Sequence, residues 1–456
     1  MAAKHWWIGL ALSLALADCH AQSITMDDER SFQITSLESL RGFQPQQSDR
    51  TYTVLDKAAY QRTVQNARGE INHLLTQLKP HRDANWNDQI ALIVAQLIDK
   101  PYLATNGMGE GDWVPGSYTY QPSAVHIKQH PVYRLDQFDC QTLVQIVMAL
   151  LHAHTLDEFD KTILSIAYGA AGNPNGNIVR YYNRNHFVDA DFNSINQQHG
   201  WLQDISTQKP FAAISKSQTV KITRNKWFEK QTFNLEDNVH VLANKDGEPM
   251  ANRFRSLYRE LPFPHFDLQT IQVNYLPKSQ LIKQNRDGRF IANQDLFNRI
   301  PTPAIIENVR DVNRWQIFGR KIKDMIGSEL SISHMGILYR HTFNKGDIIH
   351  YKTECSHENK QTACQVTPVV CQQSQCRELM IAHATNNFPR HFLWYKLSNG
   401  RYTCSPIPPK AGISYTPCDR VITQPFFDYL TDKQFGEFWM AMPSFLGVHI
   451  ETLVVS

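Results

Sequence analysis

The stretch Asp136-Gln137-Phe138-Asp139-Cys140-Gln141-Thr142-Leu143-Val144 governs how the rest of the chain is read. Beyond it, Leu143, Val144, Ile146, Val147, Leu150 and Leu151 recur at the three- and four-residue steps of a helix with an apolar face. Asp139 suits the N-cap, since a carboxylate can accept the free N–H groups of a first turn. Cys140 then stands at the head of the helix. There the helix dipole favours the thiolate, which is the nucleophilic form. The same N–H groups are placed to hold an oxyanion. The helix stops before Thr155, whose spacing to Glu158 predicts a capping box opening the next one. A free cysteine is most often a small buried hydrophobe, so local sequence leaves Cys140 between a structural and a nucleophilic role.

The other cysteines bear on that choice. Of 8 in the chain, Cys19 follows Lys4 and the apolar run Trp6–Ala17, which reads as a secretory signal peptide over residues 1–21. Leu16-Ala17-Asp18-Cys19 resembles a lipoprotein box, but Asp18 sits where a small residue is wanted, so lipid anchoring through Cys19 is the minor alternative. Export to the periplasm or beyond implies an oxidising compartment. Cys355, Cys364, Cys371, Cys376, Cys404 and Cys418 then form an even set suited to disulfides. Zinc binding is the competing reading, but no C-x-x-C pair occurs. Cys140 is left over, and an unpaired thiol in an exported protein points toward function.

The 456 residues are 42% hydrophobic and 20% charged, which excludes a disordered or collagenous chain. A net charge of +3, from 46 basic and 43 acidic residues, is too balanced for a dedicated nucleic-acid binder. After the leader no run approaches the ~20 apolar residues of a transmembrane segment.

Residues 22–50 read as a polar leader onto a globular part at 51–456. Tyr60, Val64, Ala67, Ile71, Leu74, Leu75 and Leu78 predict an amphipathic helix closed by Pro80, and Ile90–Ile98 a second. Gly107–Gly111 is a turn-rich loop rather than a phosphate cradle. The region from about 206 to 325 mixes strands, at Val220–Ile222 and Ile271–Tyr275, with turns such as the hairpin at Asn244–Gly247. Further strands are expected at Leu330–Tyr339, Asp347–Thr353, Leu379–Ala384 and Phe392–Lys396. A helical front half and a strand-rich back half make an α+β chain. One elaborated domain and two domains fit this pattern equally.

A nucleophilic cysteine needs a base, normally histidine. Two of the 19 His are placed at strand ends: His334 in Ser333-His334-Met335-Gly336-Ile337, and His383 in Ala382-His383-Ala384. For each one, a structural hydrogen bond is the competing reading.

The order of these pieces resembles the NlpC-type, papain-like cell-wall cysteine hydrolases, and within them the N-acetylmuramoyl-L-alanine amidase-like subfamily. The resemblance rests on Pro101-Tyr102-Leu103-Ala104 with Gly109-Glu110, and on Phe138-Asp139-Cys140-Gln141-Thr142. It continues through Tyr182-Asn183-Arg184-Asn185-His186-Phe187, Ser333-His334-Met335-Gly336-Ile337, His383-Ala384 and Leu446-Gly447-Val448. It implies a papain-like fold whose nucleophile-bearing helix packs on an antiparallel sheet. It further implies cleavage of the amide between the lactyl group of N-acetylmuramic acid and L-alanine in peptidoglycan fragments. Cys140 would be the nucleophile, His334 the base and His383 the orienting residue. Glu110, Arg184, Asn185, His186 and Tyr102 would contact substrate, and no metal or cofactor is required.

One departure is plain: the cysteine cluster opens between the two histidine strands, suggesting a disulfide-braced insertion at about 341–378. It leaves His341, Asp347 and His350 as alternative third residues. A peptide-stem endopeptidase using the same residues, and a non-catalytic wall-fragment or host-ligand binding protein, remain open. Oligomeric state is not legible.

Overall fold

The computed structural model describes residues 57–100, 138–168, 185–224, 268–317, 319–358, 361–385, 393–396, 402–405, 415–417, 420–431 and 439–454, with short pieces at 102, 119–121, 126–128, 135 and 226–227. The expected leader segments and the Asn244–Gly247 hairpin lie outside these residues.

The front of the chain is helical. Helix α1 (Lys57–Leu78) buries Ala67, Ile71, Leu74, Leu75 and Leu78, the stripe its spacing predicts. It ends at Leu78, and Pro80 falls in a single 3-10 turn after it. Helix α2 (Trp86–Leu97) starts four residues earlier than its apolar run, because Asn85 caps it by accepting from Asp88 N–H. Helix α3 (Cys140–His152) is buried on nearly every side, and α4 (Leu156–Tyr168) packs against it. A short α5 (Asn193–Gln198) follows.

The back half supplies the strands β1 (Leu202–Asp204), β2 (Lys216–Ile222), β3 (Gln269–Pro277), β4 (Ala304–Arg310) and β5 (Ile332–Asn344). Next come β6 (Ile348–Glu358), β7 (Gln361–Val370), β8 (Gln375–Thr385), β9 (Leu393–Lys396) and β10 (Tyr402–Ser405). The last are β11 (Tyr415–Pro417), β12 (Arg420–Pro425) and β13 (Phe445–Leu453), with helix α6 (Phe426–Thr431) after β12.

The main sheet has eight strands in the order β12-β8-β5-β4-β13-β3-β2, with β1 paired to β13, and its pairings are antiparallel. Alternation along each strand divides its side chains between two cores. Met335, Ile337, Tyr339, Met380, Ala382 and Ala384 face α1–α4. Leu338, Leu379, Ile381, Ile306 and Ile450 face Phe426, Tyr429 and Trp439. The two central strands, β4 and β13, were not expected from the sequence. In β4 every residue of Ala-Ile-Ile-Glu-Asn-Val-Arg is buried, so the period-2 signal of a half-exposed strand is missing.

The cysteine-rich segment forms a second, five-stranded sheet in the order β6-β7-β10-β9-β11. One disulfide, Cys371–Cys376, closes the turn that leads into β8. In backbone register, Cys364 of β7 lies opposite both Cys355 of β6 and Cys404 of β10.

Candidate active site

Cys140 occupies the first position of α3. Asp139 has extended backbone and accepts from Thr142 N–H at 2.6 Å, while Asp139 N–H donates to Thr142 Oγ1 at 3.0 Å. This reciprocal capping box fixes the chain direction as it enters the helix. Cys140 is a free thiol, half-buried, and the backbone N–H groups of Met335, Gln141 and Cys140 itself face its sulfur. Those N–H groups favour the thiolate, but two larger effects oppose them. Desolvation, and then the adjacent Asp139 carboxylate, push the thiol up to about 12. The resting thiolate expected from the helix dipole is therefore corrected: the cap that positions Cys140 also places a negative charge beside it.

The histidines meet across the two strands. His334 Nε2 lies 2.9 Å from His383 Nδ1, with the rings at 89°. Gly336 permits this approach: a Cβ there would sit 2.9 Å from Ala382 O and 3.0 Å from His383 Cβ. His334 stacks on Tyr429 and Trp439, and Tyr429 meets His383 edge-on at 4.9 Å. Asn308 Nδ2 donates to the Tyr429 hydroxyl and holds that ring in place. Desolvation and then the Arg310 guanidinium lower His334 to about 3. Arg310 itself lies over Trp439 and Trp315 and donates to Ser333 and Ser444. Desolvation and then His334 lower His383 well below the usual histidine range. On its far side, His383 Nε2 lies 3.2 Å from Gln424 Nε2 of β12. Both histidines are thus held neutral.

His334 and His383 are in hydrogen-bond contact, and the Cys140 thiol is brought to Met335, the neighbour of His334. Among the described residues, no hydrogen bond joins Cys140 to His334. The alternative third residues are engaged elsewhere. His341 packs edge-on against Phe343, Asp347 accepts from Asn344 N–H in the β5–β6 turn, and His350 pairs with Asp428 at 3.0 Å.

Of the expected substrate contacts, Glu110 and Arg184 lie outside the described residues. Tyr102 is buried and bridges to Phe138, just ahead of Asp139. Asn185 is buried: its Nδ2 donates to Ile166 O, and its own carbonyl accepts from Gln141 Nε2 beside the thiol. It braces the helix head from below. His186 packs on Trp227 with centroids 5.0 Å apart. Gln424, Tyr429, Trp439 and Arg310 escaped the sequence reading, because each reaches the site only through a strand pairing or a ring contact.

The described residues contain no cluster of histidine, cysteine and carboxylate side chains suited to a metal ion. They also contain no helix long and apolar enough to cross a membrane.

No curated protein matches the chain. Among solved structures, a Legionella pneumophila protein of family DUF1460 is similar at 20% identity and a TM-score of 0.50, over 86% of this chain and 95% of that one. This likeness supports the fold. An N-acetylmuramoyl-L-alanine amidase from Bacteroides uniformis aligns more loosely, at 14% identity and a TM-score of 0.37, over 81% of this chain and 99% of that one. The family described as AmiA-like, N-acetylmuramoyl-L-alanine amidase-like, matches residues 119–369, more than half of the chain and a span holding both Cys140 and His334. The chain belongs to the AmiA-like, N-acetylmuramoyl-L-alanine amidase-like family.

Proposed function

We propose that this protein is an exported cysteine amidase of the papain-like, NlpC type. It hydrolyses the amide between the lactyl carbonyl of N-acetylmuramic acid and L-alanine in peptidoglycan fragments. The observation that carries the proposal is the 2.9 Å contact between His334 and His383, one residue from the strand N–H that faces the Cys140 thiol. Family membership supplies the bond type.

His334 Nε2 is committed to His383, so Nδ1 is the nitrogen left to act as base. A thiol pushed up and an imidazole pushed down make a neutral resting pair rather than an ion pair. Attack therefore couples proton transfer to bond formation: the S–H proton passes to His334 Nδ1 as sulfur adds to the lactyl carbonyl. The N–H groups at the head of α3 receive the oxyanion. The imidazolium then protonates the departing L-alanine amine, leaving a muramoyl thioester. Water, deprotonated by the same nitrogen, releases the acid. Glu110, Arg184 and His186 are the side chains we assign to substrate contact, whereas Tyr102, buried against Phe138, supports the segment leading into α3.

Mass spectrometry of digested muropeptides tests the reading. Peptide beginning with free L-alanine is expected from wild type and not from Cys140→Ala. A shortened stem with the lactyl amide intact would move the scissile bond into the peptide and reject the amidase. Turnover that persists in Cys140→Ala would reject the nucleophile.

A further inference from the structure

We infer that Gln424 is a positioning residue, whose carboxamide oxygen accepts from His383 Nε2–H and so selects the tautomer that leaves His334 Nδ1 as the base. The inference rests on the proposed role of His334 and adds a fourth group to that site.

Gln424 is buried on β12, opposite Ile381 of β8, which places its amide at the end of the His334–His383 pair. Its Nε2 faces His383 Nε2 at 3.2 Å, and among the described residues its buried Oε1 has no hydrogen-bond partner. Amide nitrogen and oxygen are interchangeable in such a placement, so chemistry must choose between two orientations. They force opposite proton positions along the row.

If Gln424 Nε2 donates, His383 Nε2 must be a lone pair and Nδ1 must carry the proton. His383 Nδ1–H then donates to His334 Nε2, and the His334 proton sits on Nδ1. That ring has no lone pair left for a thiol. Placing a second proton on it would set two N–H groups against each other across 2.9 Å. If Gln424 Oε1 accepts instead, His383 carries its proton on Nε2 and offers a lone pair at Nδ1. His334 then donates from Nε2 and keeps a lone pair at Nδ1. When His334 takes the thiol proton, its Nε2–H still points at a lone pair, and nothing else in the row moves. The second orientation is the only one of the two in which the imidazolium is accommodated. The row ends in a neutral amide, in keeping with two histidines that both stay uncharged at rest.

Two measurements on the full chain test this. In histidine-labelled wild type, 15N resonances of His383, assigned by their loss in His383→Gln, are expected to report the Nε2–H tautomer. The Nδ1–H tautomer would overturn the inference. Separately, Gln424→Met keeps the volume but removes the acceptor. It is expected to slow alkylation of Cys140 by iodoacetamide at neutral pH by about tenfold, a fraction of what a general base supplies. Gln424→Glu restores an acceptor oxygen and should recover the rate to within about threefold of wild type. An unchanged rate in folded Gln424→Met would overturn the inference, as would failure of Gln424→Glu to recover. Should Gln424→Met not fold, the wild-type tautomer decides. Neither readout needs amide hydrolysis. If muropeptides are not cleaved while both results hold, the substrate reading falls and Gln424 keeps its place.

Discussion

On one face of the main sheet His334 and His383 lie among Tyr429, Trp439 and Gln424; on the other, His449 lies among Glu307, Glu451 and Asp204. All three histidines are packed into one fold, His383 and His449 fully and His334 partly, yet their charge states are opposite. Both ring nitrogens of His449 face acceptors, Nδ1 the carbonyl of Asn274 and Nε2 the carboxylate of Glu451, each at 2.8 Å. Such a ring needs both protons. Desolvation alone would lower it, but Glu451, Glu307 and Asp204 outweigh desolvation and raise it to about 10. Along His334–His383–Gln424 donors alternate with acceptors, no carboxylate intervenes, and Arg310 adds a repelling charge, so desolvation wins. Burial therefore does not set the charge of a histidine; what its two nitrogens face does. One face holds an ionic cluster that fastens strands, and the other holds neutral rings able to accept a proton.

If that division is right, substitutions on the two faces should fail in different ways. The largest effect belongs to the proposed nucleophile and base. Cys140→Ala or His334→Ala should lower muropeptide hydrolysis by about 10⁴-fold or more, since nucleophile and base act as a unit. Chemical denaturation should show stability within about 1 kcal/mol of wild type for Cys140→Ala, which removes only a small half-buried group. A large loss of stability in that variant would break the comparison.

Glu451→Gln should do the reverse. It leaves His449 and Gln197, which both meet the same carboxylate oxygen, facing a neutral amide in place of a charge. Removing one partner of a buried ion pair costs about 3–5 kcal/mol. Activity per folded molecule should stay near wild type, which thermal denaturation run alongside turnover will show. Gly336→Ala lies between the two. Its Cβ would press on Ala382 O and the His383 Cβ, so a stability loss of about 1–3 kcal/mol is expected together with a fall in kcat. Wild-type stability in that variant would show that β5 and β8 do not need their close approach.

These outcomes bear on what sequence could disclose. The head of α3 was legible, because capping and apolar periodicity are local: Asp139, Thr142 and the buried run to Leu151 follow from a dozen adjacent residues. Strand positions for His334 and His383 were legible too, from alternation in their own segments. Their contact was not, since it depends on β8 lying antiparallel to β5 with Ala382 opposite Ile337. Gln424 and Tyr429 are one step further away, each depending on the strand or helix beyond. Glu307 was invisible for another reason. It sits wholly buried in β4, where a charged residue inside an apolar run reads as a strand break until His449 is found opposite it. Of the expected disulfides, Cys371–Cys376 lies among the described residues, and which cysteines pair is a three-dimensional fact that spacing alone leaves open.

The smallest effects are slopes with pH, and they separate the two faces without touching activity. His449 binds its proton more tightly folded than unfolded, with a pKa raised from about 6.5 to about 10. Its contribution to stability is therefore fully present below about 6.5 and is lost as pH rises through about 10. Glu307, raised to about 8, adds a decline in the same direction beginning near the ordinary carboxylate range. His334 is shifted the other way, to about 3, so its neutral form is favoured in the folded chain and stability falls as pH drops from about 6.5 toward 3. One proton changes the unfolding free energy by at most about 1.4 kcal/mol per pH unit. Denaturation curves collected across pH should accordingly show an alkaline decline that flattens in His449→Gln and an acid decline that flattens in His334→Gln. Each substitution should leave the other limb in place, because the two rings lie on opposite faces with different charged neighbours. Loss of both limbs in either variant would mean that the clusters titrate as one, and the contrast between them would not hold.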